Sequence, residues 1–187
     1  MRLRFAALLC CIGPAILGAQ APAPLQPAWD MSGLIGELGA HAASLLPALD
    51  KVDTQAWIAK GASETYTEQL QTAKDQAKAM SDAAKELARN PEKLSACLEL
   101  FFRMQSVEQM IGSLVEGVRK YQDEALAGEL AALVARNGRN RNRFQAYIVD
   151  LATEREQQCA VMDREAQRCR SIVATQPPPR AGTGRKK

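Results

Sequence analysis

Histidine occurs once in 187 residues, at position 41. A single imidazole removes most metal sites, catalytic triads and acid–base relays that rely on this side chain. Aromatic residues make up only 5%, too few for the cross-strand and inter-sheet packing of an all-β sandwich. The formal charge of +3 is too small for a dedicated nucleic-acid binder. Gly-rich phosphate loops and a Gly-x-Ser-x-Gly elbow are absent. So is Glu-x-x-His, which argues against a di-iron bundle. Against these gaps stands a hydrophobic content of 47% with 24% charged residues, the balance of a globular chain rather than a disordered one.

The first segment reads as an address. Arg2 and Arg4 precede an apolar stretch from Phe5 to Ala19, broken only by Gly13-Pro14, and small residues follow at Ala19-Gln20-Ala21. That is the layout of a secretory signal peptide. The apolar run is shorter than the ~20 residues that span a bilayer. Cleavage after Ala19 leaves Gln20 first, whereas cleavage after Ala21 would place Pro22 next to the cut. Cys10 and Cys11 sit inside the apolar core and not after it, so they do not fit a lipoprotein signal.

Loss of residues 1–19 removes two arginines and no acid, leaving +1. The tail carries Arg180, Arg185, Lys186 and Lys187, so the body between is mildly acidic. It has no electrostatic reason to seek nucleic acid. Residues 20–30 are expected to form a Pro-rich linker and residues 176–187 a disordered basic tail with nothing to bury.

Residues 31–175 are helical in period throughout, which predicts one all-α domain. It should be an antiparallel bundle of three to four principal helices with short connectors and coiled-coil-like packing. The first helix, about 31–49, has the stripe Leu34, Leu38, His41/Ala42, Leu45 and Leu49, with Pro47 in its last turn. A short helix over 54–60 is expected from Asp53 as N-cap, a Val52–Trp57 staple and Gly61 as stop. The next, about 63–89, starts at a Thr65–Glu68 capping box. It carries the heptad seam Tyr66, Leu70, Ala73, Ala77, Met80, Ala84, Leu87, whose alanines admit a close partner. Asn90 as N-cap and Pro91 at the first helical position then open a helix to about Tyr121.

From Arg136 to Arg143 no residue is apolar. The competing reading is one unbroken rod, since the stripe stays in phase across the gap, but Asn137-Gly138 looks like a helix stop and Asn140 like a start, so a break is expected between a helix over 123–136 and one over 140–173. Matched long helices would then lie side by side, with the break a surface loop tolerant of insertion.

Three groups of residues invite chemistry. Arg136, Arg139, Arg141 and Arg143 sit near a helix start and are candidates for gripping the phosphates of a lipid or polysaccharide. The plainer reading pairs them with neighbouring acids. Cys97 is a candidate for a disulfide with Cys159 or Cys169, since an exported chain meets an oxidising compartment. In the folded-back arrangement Cys97 lies level with about residue 164, between the two. The competing reading is three small buried thiols. His41 with a methionine across the bundle, such as Met162, could serve as an axial pair for haem, although no Cys-x-x-Cys-His is present, and a partly buried, hydrogen-bonded histidine is the plainer reading.

No cofactor or metal is called for, and no known family is recognised. The reading is an exported protein, periplasmic or extracellular and non-enzymatic, that binds or scaffolds an envelope component. Its partner would be an envelope protein or a second copy, with nucleic acid disfavoured and no membrane span left after cleavage. The alternatives are an anionic-ligand binder using Arg136–Arg143, and an enzyme or haem carrier using His41 with a cysteine or methionine. N-terminal sequencing of the exported protein is expected to begin at or near Gln20. An intact Met1, or lipid on Cys10 or Cys11, contradicts the signal-peptide assignment.

Overall fold

The computed structural model describes residues 28–175. Residues 1–19, read above as a signal peptide, residues 20–27 of the expected linker and the tail from 176 lie outside the described residues. Within them the chain forms six helices and no strand: α1 (Ala28–Leu49), α2 (Thr54–Ala59), α3 (Thr65–Leu87), α4 (Leu94–Tyr121), α5 (Glu124–Arg136) and α6 (Gly138–Thr175). The all-α bundle read from the sequence is the fold.

Polar contacts fix how the helices run. Lys74 meets Asp50 at 2.8 Å while Gly39 abuts Ala84, so α1 and α3 are antiparallel. Arg103 donates to Gln76 at 2.8 Å and Gln69 to the Met110 carbonyl at 3.5 Å, so α3 and α4 are antiparallel too. The fourth position is shared by α5 and α6, which pack on both α4 and α1. The result is an up-down-up-down bundle whose fourth column is two helices end to end.

Small residues set the spacing between α1 and α3. A Cβ added at Gly39 would lie 2.9 Å from Ala84 Cβ and 3.3 Å from the Ser81 carbonyl oxygen, so only glycine allows this approach. The α3 seam from Leu70 to Leu87 is buried as expected, with Tyr66 half-buried. On α4 the core face also takes in Leu100 and Val107.

The short α2 closes one end of the bundle. Asp53 caps it by accepting the Ala56 N–H at 3.0 Å, Val52 and Trp57 are both buried, and Gly61 turns the chain at φ +91°. Trp57 stacks on Tyr121, ring centroids 6.1 Å apart, and meets Tyr66 edge to face at 5.4 Å. Its indole N–H donates to Gln122 Oε1 at 3.0 Å, and Gln122 Nε2 donates to the Lys51 carbonyl at 2.8 Å. One side chain thus ties the α4–α5 turn to the α1–α2 turn.

Several boundaries differ from the sequence reading. Residues 28–30 belong to α1 and not to the linker, because nothing there breaks a helix and Asp30 suits its first turn. The Thr65–Glu68 capping box does not form. Glu64 is already helical (φ −59°, ψ −24°), which leaves Thr65 inside the first turn, and Ser63 Oγ accepts the Thr65 N–H instead. Asn90 and Pro91 form a turn ahead of α4, whose N-cap is Lys93 in extended conformation. The Pro91 carbonyl is held from two helices, by Cys97 Sγ and Tyr147 Oη, each at 3.1 Å.

The largest difference lies at the arginine-rich stretch. The break exists, but it is one residue wide. Asn137 keeps right-handed helical torsions (φ −80°, ψ −9°); its N–H turns to the Val134 carbonyl, and α6 resumes with Arg141 N–H on the Asn137 carbonyl. Gly138 has no left-handed torsion and is already helical, so the start lies ahead of Asn140. A single residue in this conformation interrupts the ladder without reversing the chain. Accordingly α6 keeps running antiparallel to α4: Asn137 meets Met104, Arg141 meets Glu108, Tyr147 meets Pro91, and Arg155 meets Glu92. The expected folded-back pair of matched helices is therefore not the arrangement. Nor is the break a loop. Two residues inserted after Gly138 would turn the core face of α6 by about 200°.

Because α4 begins at Leu94, α6 runs out of neighbours near Arg155. Phe144, Tyr147, Ile148 and Leu151 are its buried residues, and every residue from Glu156 to Thr175 is exposed. These twenty residues make a lone helix of about 30 Å beyond the foot of the bundle.

Two glycines separate packing from propensity. A Cβ at Gly117 would lie 2.7 Å from Trp57 Cζ3 and 3.1 Å from Tyr66 Cε1, whereas Gly128 in α5 faces open space. Gly117→Ala is expected to destabilise by about 1–3 kcal/mol, and Gly128→Ala to stabilise by about 1 kcal/mol. Denaturant melts of the two variants check this; equal effects would show that the aromatic cap does not depend on Gly117.

Candidate functional site

The structure brings the arginines and His41 to the α5–α6 junction and leaves Met162 and the cysteines elsewhere. Arg141 forms an ion pair with Glu108 at 2.7 Å, and Arg143 one with Asp30 at 3.0 Å. Asn140 adds a hydrogen bond to Glu37 at 2.9 Å. These contacts fasten the first turns of α6 to α4 and α1. Arg136 and Arg139 are exposed and have no ion pair among the described residues. The four guanidiniums thus do not converge on one point: two are structural and two face water.

Asn137 is buried. Its Nδ2 donates to Met104 Sδ at 3.3 Å, a weak acceptor that nonetheless gives the buried amide a partner. His41, half-buried on α1, lies close enough to Glu108 and Arg136 to feel both charges. Burial holds its proton affinity below the ordinary value, Glu108 opposes that shift, and Arg136 adds to it. The cavity between His41, Met104, Glu108 and Asn137 measures about 10 Å³, room for one water at most. No organic ligand or haem fits there. Met162 stands on the projecting helix at 69% exposure, so the His41–Met162 pair does not assemble, because α6 leaves the bundle before reaching it.

The cysteines are likewise apart. Among the described residues the three cysteines are free thiols, Cys97 buried and Cys159 and Cys169 exposed. Cys97 lies level with the first turns of α6, and both later cysteines are beyond the foot of the bundle, so the bridge expected from folded-back helices has no geometry to form. Burial pushes the Cys97 thiol up to about 11, which leaves it protonated and poorly nucleophilic near neutrality. Tyr147, beside it on the Pro91 carbonyl, is pushed up to about 12, chiefly by burial. Among the described residues no group of three or more His, Cys, Asp or Glu side chains could hold a metal.

A shallow cleft between α3 and α4 is lined by Glu86, Asn90, Lys93, Glu99 and Arg103. Its charges are mixed, which selects for neither sign of ligand. Sequence reasoning missed the feature that dominates the surface, the outer half of α6. Its signal was present: Met162 and Val173 belong to the same stripe and are each 69% exposed.

No protein-family model, curated protein or solved structure matches the chain.

Neutral His41 gives the fold a pH dependence of definite sign. The unfolded chain takes up a proton near 6.5, while the fold takes it up only at lower pH. The unfolded state therefore binds more protons in that window, and stability falls as the pH drops below about 6.5. His41→Gln is expected to flatten this part of the curve. Melting temperatures of both proteins at about pH 7 and about pH 5.5 check it; equal drops would remove His41 as the source.

Proposed function

We propose that this is an exported, non-enzymatic helical scaffold that engages an envelope component through the outer half of α6. The observation that carries the reading is the exposure of every residue from Glu156 to Thr175. A helix without tertiary contacts lacks the packing that stabilises most protein helices, and its apolar stripe has no counterpart in the bundle. The other chemistry-bearing side chains support the same view. Cys97 is masked, His41 borders a cavity that admits no substrate, and Arg141 and Arg143 are engaged by acids of the chain. Export rests on the signal-peptide layout of residues 1–19. Among the described residues no helix is long and apolar enough to cross a membrane.

The test is a chain ending at Glu156, exported in parallel with the full chain. Its bundle is expected to melt within a few degrees of the parent, because every residue from Gln157 to Thr175 is exposed. Chemical cross-linking in the native envelope should give higher-mass complexes with the full chain and none with the shortened one. Undiminished complexes from the shortened chain would overturn the proposal. Arg136 and Arg139 favour a second reading, an anion grip of two arginines. It would be supported if the shortened chain were still retained on a phosphate-bearing polymer and released by salt.

A further inference from the structure

We propose that the outer half of α6 docks on the same segment of a second copy, antiparallel, about a two-fold axis between Gln167 and Arg168. The inference rests on the reading that this segment is the docking element and names what it docks on.

The stripe comes first. Cys159, Met162, Ala166, Cys169 and Val173 are spaced three, four, three and four residues apart, the a and d pattern of a coiled-coil seam. Eighteen residues make about five turns, which puts Met162 on the face of Phe144, Ala166 on that of Ile148, and Cys169 on that of Leu151. The seam therefore continues the face that the inner half of α6 buries against α1 and α4. Val173 and Met162 are each 69% exposed on it, and Ile172 at its edge 52%.

That continuity decides direction. The bundle stands on the seam side of α6, so a parallel copy would bring two bundles into the same space. An antiparallel copy places the bundles at opposite ends and fills the space below each foot with the tip of the other helix.

Charge and length then decide register. One antiparallel register sets Cys159 against Cys169 of the second copy. It also opposes Asp163 to Asp163 and Glu165 to Glu165 at the axis. It drives Thr175 to the level of Thr153, where the Arg155–Glu92 pair occupies the foot. A shift of one heptad relieves all three conflicts. Met162 then packs on Val173 of the second copy and Ala166 on Cys169, small residues at the centre and large ones outside. Asp163 faces Arg170 of the second copy, twice by symmetry, in the flanking positions that choose partners in antiparallel coiled coils. Thr175 stops level with Ala160, clear of the foot. The surface is self-complementary, as a two-fold interface requires.

Sedimentation equilibrium of the full exported chain tests this, alone and with charge reversals at residues exposed in the single chain. Wild type is expected to dimerise in the micromolar range. Arg170→Glu should weaken the dimer at least about tenfold by setting a carboxylate against Asp163 of the second copy. Adding Asp163→Arg should restore it, which it would not do in a parallel pair, where Arg170 meets Glu165. A chemical bridge gives the second readout. In an Ala166→Cys, Cys159→Ser chain, diamide should link the new thiol to Cys169 of the other copy, the two thiol hydrogens passing to diamide to give the hydrazine. The Cys159→Ser chain alone should link far more slowly. A monomer at about 100 μM, an Arg170→Glu chain that still dimerises, or a double reversal that fails to rescue each overturns the proposal. A monomeric wild type whose complexes in the envelope still depend on residues after Glu156 would refute the second copy as occupant and leave the docking role of α6 standing.

Discussion

The path of the chain depends on one residue that interrupts a helix without turning it. Asn137 leaves the α5 ladder yet keeps right-handed torsions, and its buried amide is pinned to Met104. The next turn is held from both sides, Arg141 on Glu108 and Arg143 on Asp30. With the direction of α5 preserved, α6 has only the remaining length of α4 to lie against. It reaches the end of that length at Arg155 with twenty residues still to come. The exposed thiols, the stranded Met162 and the unpartnered stripe all follow from this overshoot.

The rest of the bundle is an ordinary solution to helix burial, assembled from two kinds of contact. At one end large rings do the work, with Trp57 between Tyr66 and Tyr121 and its indole N–H answered by Gln122. In the middle, absence of side chains does it, since Gly39 lets α1 press on Ser81 and Ala84 of α3. Both tolerate little change in volume. The surface ion pairs around them contribute modestly at best. Their role is to fix register, which is how the antiparallel order of α1, α3, α4 and α5–α6 is read.

Much of this was legible in the sequence. The α3 heptad, the Asp53 cap with its Val52–Trp57 staple, and the Gly61 stop are local patterns, and local patterns survive folding. What failed were inferences from local signals to chain direction. Asn137-Gly138 carries the residues of a helix stop, but a stop reverses the chain only when a left-handed residue or a loop follows, and neither is present. That single step misplaced Cys97 against Cys159 and Cys169. The arginines of 136–143 read correctly in their plainer sense for two of the four, because Glu108 and Asp30 come from elements distant in sequence. The apolar stripe on the outer half of α6 was visible as spacing, yet only the length of α4 reveals that it is left uncovered.

The direction of α6 past Asn137 is the claim on which everything else rests, and a distance across the foot of the bundle tests it. Spin labels on Glu92→Cys and Ser171→Cys would be attached in a chain with Cys159 and Cys169 changed to Ser and Cys97 left buried. Labelled protein diluted in an excess of unlabelled protein then reports distances within one chain. Arg155 lies beside Glu92 and Ser171 is sixteen residues further along the helix, so pulsed dipolar spectroscopy should give a separation of about 25 Å or more. A folded-back α6 would bring residue 171 level with residue 90, and a dominant separation near about 10 Å would contradict the account.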